Sequence, residues 1–298
     1  MTTFDEKILN IVKSIIEKDG AEPEPEPEKS IHPLAGKYVS ILGDGQSTFK
    51  NWILDPEDTA PAYHYGPSET SNDVVVVNDT WWHKLLSSCG AKLCVNNSIK
   101  YTGVRTDFED EPLYSNADQR VNRYGLSRHA GFTYKNLEGD DEPGEDIKPD
   151  IIIIFTGMYD WKTDVPLGIP EKGVQSLDIT TCDQQPANTF ARGFNEVIKS
   201  SYSKYKDAQI YVITPYIGDE NKIVRLVNPE NPDLLEPLAD MYAIMERITS
   251  LYTNVKFIPL HKLIGRSTSK LPFVSGDYFT KAGMDKMAEV VKRFIENN

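Results

Sequence analysis

The sequence predicts an α/β domain built on a parallel sheet across residues 36–298, and three observations carry that prediction. Five short apolar runs alternate with helical stretches, the pattern of right-handed βαβ crossovers. The third run, DIIIIFT at 150–156, is apolar almost throughout, as a central parallel strand covered on both faces must be. Polar clusters follow the first three runs: Gly43-Asp44-Gly45-Gln46-Ser47-Thr48, Asn96-Asn97-Ser98 and Gly157-Met158-Tyr159-Asp160-Trp161. In an open α/β sheet, ligands bind at such carboxyl ends of strands.

The elements follow in order. Residues 4–18 place Phe4, Ile8, Ile11, Val12, Ile15 and Ile16 on one stripe of an amphipathic helix. Residues 21–30, AEPEPEPEKS, suit neither helix nor strand, because proline fixes φ and removes a donor while the glutamates repel. The predicted organisation is therefore an anchoring or oligomerisation helix over 1–20, a stiff Glu-Pro linker over 21–35 and one domain over 36–298. Within that domain, strands are predicted at 38–42, 92–96, 150–156, 209–214 and 254–258. Helices are predicted at 80–88, with Trp81, Leu85 and Leu86 inward, and at 187–205, 236–252 and 280–296. Residues 107–111 and 138–146 read as solvated acidic loops, neither having a calcium-loop spacing.

Composition narrows the function. The chain of 298 residues carries a net charge of −13, which disfavours a nucleic-acid partner, since phosphates call for a basic surface. No apolar run approaches the roughly 18–20 residues of a membrane span. The start, MTTFDEKILNIVKSI, lacks the features of a secretory signal, so a soluble chain of cytoplasmic synthesis is expected. Three cysteines exclude a disulfide scaffold, and no second Cys/His pair joins Cys89 and Cys94 into a zinc site.

Five blocks carry a resemblance: ILGDGQSTFKNW, TWWHKLL, VNNS, PDIIIIFTGMYDW and GDYFTKAGM. In order and spacing they resemble the SGNH/GDSL hydrolase family, particularly the branch with ILGDSxSTF and TWW motifs, over about residues 36–296. The resemblance implies a flavodoxin-like three-layer sandwich whose parallel five-stranded sheet has the order 2-1-3-4-5. It also implies esterase chemistry, often on acetyl groups of carbohydrates. Family members use a serine after Gly-Asp, a second-block glycine and a third-block asparagine for the oxyanion, and a final histidine with an aspartate three residues before it.

Carried over position by position, the chain departs from that pattern. The serine position is Gly45, the asparagine position is Tyr159 and the histidine position is Thr280. Gly103 stands one place displaced from the second-block glycine, and Asp277 remains without an imidazole to orient. In a serine protease, loss of the serine or the histidine alone costs about a millionfold in kcat, so no family catalysis is expected. Ser47 reads as a helix-turn cap. His64 and His129 lie in loops near the pocket but lack the family spacing for a relocated base. Asp44, Asp160 and Asp277 converge in principle on a hard cation; Asp44 is expected instead to bond loop amides and Asp277 to cap the last helix, with no metal or cofactor.

The residues expected to line a ligand site are Asp44, Asn97, Tyr159, Asp160, Trp161 and Tyr278. The rings of Tyr159, Trp161 and Tyr278 suit stacking on a sugar and equally suit filling a vacated pocket. Three readings stay open: a catalytically inactive binding or structural module, a carbohydrate esterase with a rebuilt site, and a hydrolase or lyase that uses the aspartates. An esterase needs a hydroxyl or thiol within about 3.2 Å of an imidazole nitrogen at the strand ends. The helix, the tether and the altered hydrolase domain together suit self-association or a place in a larger assembly such as a phage tail or virion.

Overall fold

Continuous apolar character and β-branched residues put Tyr38–Gly43 (β1) and Ile151–Phe155 (β5) side by side at the centre of the sheet, parallel, with Val39 opposite Ile151 and Gly43 opposite Phe155. Lys92–Asn96 (β2) pairs parallel with the outer edge of β1, with a register shift between Val39 and Ser40. Gln209–Ile213 (β6) and Val255–Ile258 (β7) extend the sheet on the other side, again parallel, giving the order β2-β1-β5-β6-β7. In chain order of sheet strands this is the predicted 2-1-3-4-5, flanked by helices.

The period of two along each strand sorts side chains into two cores. Ile152, Ile154, Ile210 and Val212 face one layer, packed on Phe190, Phe194 and Val197 and on Met241, Ile244 and Met245. Val39, Ile41, Ile151, Ile153 and Phe155 face the other, packed on Trp81, Leu85, Met284, Met287 and Val291.

The helices number in chain order Trp81–Cys89 (α1), Met158–Lys162 (α2), Ile179–Asp183 (α3), Phe190–Lys204 (α4), Leu238–Thr249 (α5), Leu260–Leu263 (α6) and Lys281–Asn297 (α7). Helices α4 and α5 cover one face of the sheet, α1 and α7 the other.

The computed structural model describes residues 31–53, 63–67, 72–100, 102–104, 133–135, 137–143, 147–163, 165–216, 238–264, 274–275 and 278–298. Residues Pro33–Asn298 form one compact unit. The helix expected over 4–18, the linker over 21–30 and the acidic loop over 107–111 lie outside the described residues.

Two expectations are corrected. The stretch 138–146 is not simply a solvated loop: Asp141–Pro143 (β4) pairs antiparallel with Thr133–Lys135 (β3), and Leu137, in the bend between them, accepts a bond at 2.8 Å from Nε2 of His83. Trp82, next to the inward-facing Trp81 and not read as inward itself, is also fully buried, with the Trp52 ring 5.8 Å from it. Val274–Ser275 (β8) and Tyr278–Phe279 (β9) form a small second ribbon just before α7. Among the described residues no helix is long and apolar enough to cross a membrane.

Candidate functional site

The site lies where β1, β2 and β5 end. As β1 finishes, the N–H of Asp44 bonds the carbonyl of Phe155 at 3.3 Å and the N–H of Ile99 bonds that of Gly43 at 3.1 Å, so three strand ends are pinned together. The chain then enters the short 3-10 turn Gly45–Ser47. Asp44, not Ser47, caps that turn: its Oδ1 accepts the N–H of Gln46 at 3.2 Å. Its Oδ2 accepts the N–H of Met158 at 3.2 Å, which ties the turn to the start of α2. The expectation that Asp44 bonds loop amides therefore holds, whereas Ser47 is buried with its Oγ 2.7 Å from where a Cβ on Gly43 would stand, and that oxygen finds no partner among the described residues.

Asp44 is 4% exposed, and burial pushes its carboxyl up to about 6 against the pull of the two amide bonds; the charge of Asp160 adds to the rise and Lys162 opposes it. Asp160 is likewise buried, on α2. Its Oδ1 accepts the N–H of Val104 at 2.8 Å, and its carboxylate lies directly on Gly103, where an added Cβ would stand 2.7 Å from its Cγ. A side chain at 103 has no room.

Gly45 meets Tyr278 of β9. A Cβ at Gly45 would stand 2.8 Å from Cε1 and 3.3 Å from the hydroxyl of that ring, with the Lys100 stem at 3.5 Å. The Tyr278 ring is stacked on His64, centroids 3.2 Å apart and planes within 11°, and Lys162 Nζ lies 5.2 Å from its centroid. His64 is tethered by its N–H to Oγ1 of Thr48 at 2.7 Å. Tyr65 meets Tyr278 edge-on, and its hydroxyl donates to the carbonyl of Phe279 at 3.2 Å.

The other residues expected at the site lie on several elements. Thr280 caps α7, its Oγ1 accepting the N–H of Gly283 at 3.2 Å. Tyr159 is half-buried on α2, Asn97 and Trp161 are buried, and Trp161 packs with Val165 and Leu167 in the core. Of the six residues expected to line a ligand site, only Tyr159 and Tyr278 keep substantial surface. Asp277 and His129 lie outside the described residues. Tyr278 stands in a motif block, whereas Tyr65, Lys100 and Lys162 stand in none; the segment PAYHYGP around His64 is the sequence signal that takes in Tyr65.

Among the described residues, Ser87 and Thr214 each bring a hydroxyl within about 3.2 Å of an imidazole nitrogen. Ser87 Oγ lies 3.2 Å from Nδ1 of His83 on α1, one turn along the same helix. Thr214 Oγ1 lies 3.0 Å from Nδ1 of His261 at the ends of β6 and β7. Thr214 is fully buried, and the same oxygen also faces the N–H of His261 at 3.4 Å. Among the described residues no group of three or more His, Cys, Asp or Glu is placed to hold a metal ion.

The model of the GDSL-like lipase/acylhydrolase family matches residues 37–263. Among solved structures, a GDSL-like lipase from Bacteroides ovatus is similar at 22% identity and TM-score 0.60, covering 89% of this chain and 100% of its own. Another GDSL-like lipase, from Bacteroides uniformis, is similar at 24% identity and TM-score 0.57, covering 88% and 97%. A Lactobacillus plantarum protein is similar at 14% identity and TM-score 0.56, covering 89% and 99%. At these identities the solved structures speak for the fold alone. No curated protein matches the chain.

Proposed function

The chain belongs to the GDSL-like lipase/acylhydrolase family, and from that premise we propose that its domain has lost the family's acyl-ester hydrolysis and serves as a binding or structural module. The observation that carries this reading is the contact of Tyr278 with Gly45, at the position that follows Gly-Asp in the first motif block. Acyl transfer needs a nucleophile, a base within hydrogen-bond reach and donors aimed at the developing oxyanion. Gly45 offers no hydroxyl, Thr280 spends its Oγ1 on a helix cap, and Tyr159 replaces a side-chain amide by a phenol. The test is hydrolysis of p-nitrophenyl acetate and of an acetylated glycan by the purified chain. Turnover that one substitution near the cleft abolishes would refute this reading.

A rebuilt esterase is the second reading, and the Thr214–His261 pair is the observation in its favour. Burial of Thr214 weighs against it, because the hydroxyl has no path to an ester. If turnover is found, its loss on Thr214→Val and on His261→Gln identifies that pair.

As a module, the domain has two candidate partners. A carbohydrate fits the half-buried ring of Tyr159, to be tested by titration with oligosaccharides. A protein fits the apolar stripe of residues 4–18, through self-association or docking into a larger particle such as a phage tail or virion.

A further inference from the structure

We infer that Tyr278 is a built-in plug: its phenol occupies the space a side chain at position 45 would need, so Gly45 and Tyr278 form one packing pair and the old cleft admits no acyl group. The inference deepens the reading of a silent domain and rests on that reading for its functional meaning.

The space is the first argument. A Cβ on Gly45 would lie 2.8 Å from Cε1 of Tyr278, inside the van der Waals contact distance of roughly 3.5–4.0 Å between carbons. Even a methyl group is excluded while the ring stays, and a serine hydroxymethyl is larger still.

The second argument is that the ring is held. His64 covers one face at 3.2 Å, and His64 is itself fixed by its N–H bond to Thr48 at 2.7 Å. The next residue, Tyr65, is tied at both ends: its carbonyl accepts the N–H of Lys50 at 2.9 Å and its hydroxyl donates to Phe279 at 3.2 Å. The Phe279 carbonyl also accepts from Nδ2 of Asn72 at 3.2 Å. Behind it, Thr280 is locked as the cap of α7. Tyr278 therefore leaves its backbone from a segment anchored at the two residues that follow it, and its ring has a stacked neighbour to displace before it can swing out. Lys162, with Nζ 5.2 Å from the ring centroid, adds a cation within reach of the π system.

The third argument is chemical. A planar ring bearing a hydroxyl resembles a bound ligand more than ordinary core filling: Tyr278 keeps partial exposure and ends in a polar group, while the adjacent Phe279 is fully buried. The chain supplies its own occupant for the cleft.

The experiment is a double-mutant cycle with chemical rescue. Thermal unfolding is measured for the full chain, Gly45→Ala, Tyr278→Ala and the double variant, each with and without millimolar p-cresol, the analogue of the tyrosine side chain. Gly45→Ala is expected to lower Tm by about 2–6 °C in the native background and to be nearly neutral beside Tyr278→Ala. p-Cresol is expected to raise the Tm of Tyr278→Ala and to leave the native chain unchanged.

His64→Ala gives an independent reading if Tyr278→Ala does not fold, because freeing one face of the ring should reduce the cost of Gly45→Ala. Equal costs of Gly45→Ala in all backgrounds, or no response of Tyr278→Ala to p-cresol, overturn the plug. Hydrolysis of p-nitrophenyl acetate by the native chain that Thr214→Val abolishes, with the coupling intact, overturns the loss of activity alone; hydrolysis that survives Thr214→Val overturns the closed cleft as well. Absent coupling in an inactive chain overturns the plug alone.

Discussion

Asp44 Oδ2 accepts the backbone N–H of Met158 at 3.2 Å while Oδ1 accepts that of Gln46, so a single buried carboxylate joins the turn after β1 to the helix after β5. Both amides sit at the starts of helical turns, where N–H groups have no partner of their own. The carboxylate satisfies them, yet burial still disfavours its charge, and the balance leaves its pKa near 6.

That balance fixes a pH dependence. The folded pKa, about 6, lies above the ordinary 3.8, so the folded state binds this proton more tightly than the unfolded chain does. Stability from Asp44 is therefore greatest in acid, declines as pH rises from about 4 to about 6, and is constant above, with a full span on the order of 3 kcal/mol. Asp44→Asn is expected to be less stable throughout, because its amide turns an NH2 toward one of the two N–H donors, and to lack this decline. Urea unfolding between pH 4 and pH 7 checks it; equal slopes for the two proteins would dismiss the assignment.

Gly103→Ala tests the contact on the other side of the site. The new methyl meets the Asp160 carboxylate, which cannot withdraw without giving up its 2.8 Å bond to Val104. Overpacking of this kind costs about 1–3 kcal/mol. A loss of Tm is expected for Gly103→Ala, and a smaller loss when the same change is made beside Asp160→Ala. Identical losses in both backgrounds would mean that Asp160 is not what limits the space.

Much of this fold is legible in the sequence, and what escapes is tertiary. Ile151–Phe155 announces itself because every residue is buried, so no polar alternation obscures it. Strands β3 and β4 do not: each is three residues long, β4 reads Asp-Glu-Pro, and the bend between them meets α1 through the His83–Leu137 bond, which joins residues 54 positions apart. Thr189 marks the true start of α4 later than periodicity suggested, because Pro186 and the bond from its N–H to the Pro186 carbonyl at 3.0 Å place a turn there. Motif order singles out Gly45, Tyr159 and Thr280 as the positions to compare with the family pattern. It could not locate the ring against Gly45, since that depends on how β9 pairs with β8 and on a histidine loop more than two hundred residues upstream of Tyr278.

On the proposed reading that hydrolysis is lost, the same contact bears on any attempt to install it. Gly45→Ser alone is expected to give no turnover of p-nitrophenyl acetate, because no base is supplied and the hydroxymethyl is driven into Tyr278. Adding Tyr159→Asn and Thr280→His supplies the residue types that the family resemblance implies, but under the proposed plug the Tyr278 ring still fills the space beside residue 45, and the α7 cap is lost, at about 1 kcal/mol. Weak activity is expected only when Tyr278→Ala accompanies the three. Turnover by Gly45→Ser alone would contradict both the missing base and the crowded pocket.

The final prediction concerns residues 4–18. The spacing of Phe4, Ile8, Ile11, Val12, Ile15 and Ile16 predicts six large apolar side chains on one helical stripe, each worth roughly 1.5–3 kcal/mol when fully buried. A helix of this length is marginal alone in water, so its stability has to come from burial against something else. The Glu-Pro sequence of residues 21–30 is expected to be stiff and charged, and such a linker disfavours packing of the stripe on the domain that follows. Self-association or docking on a partner chain satisfies both constraints. Ile8→Glu, Val12→Glu and Ile15→Glu, introduced together in the full chain, are expected to lower the mass measured by light scattering while leaving the domain's Tm unchanged. If the variant keeps the native mass, or if the domain itself loses stability, the stripe packs on its own domain and the anchor reading fails.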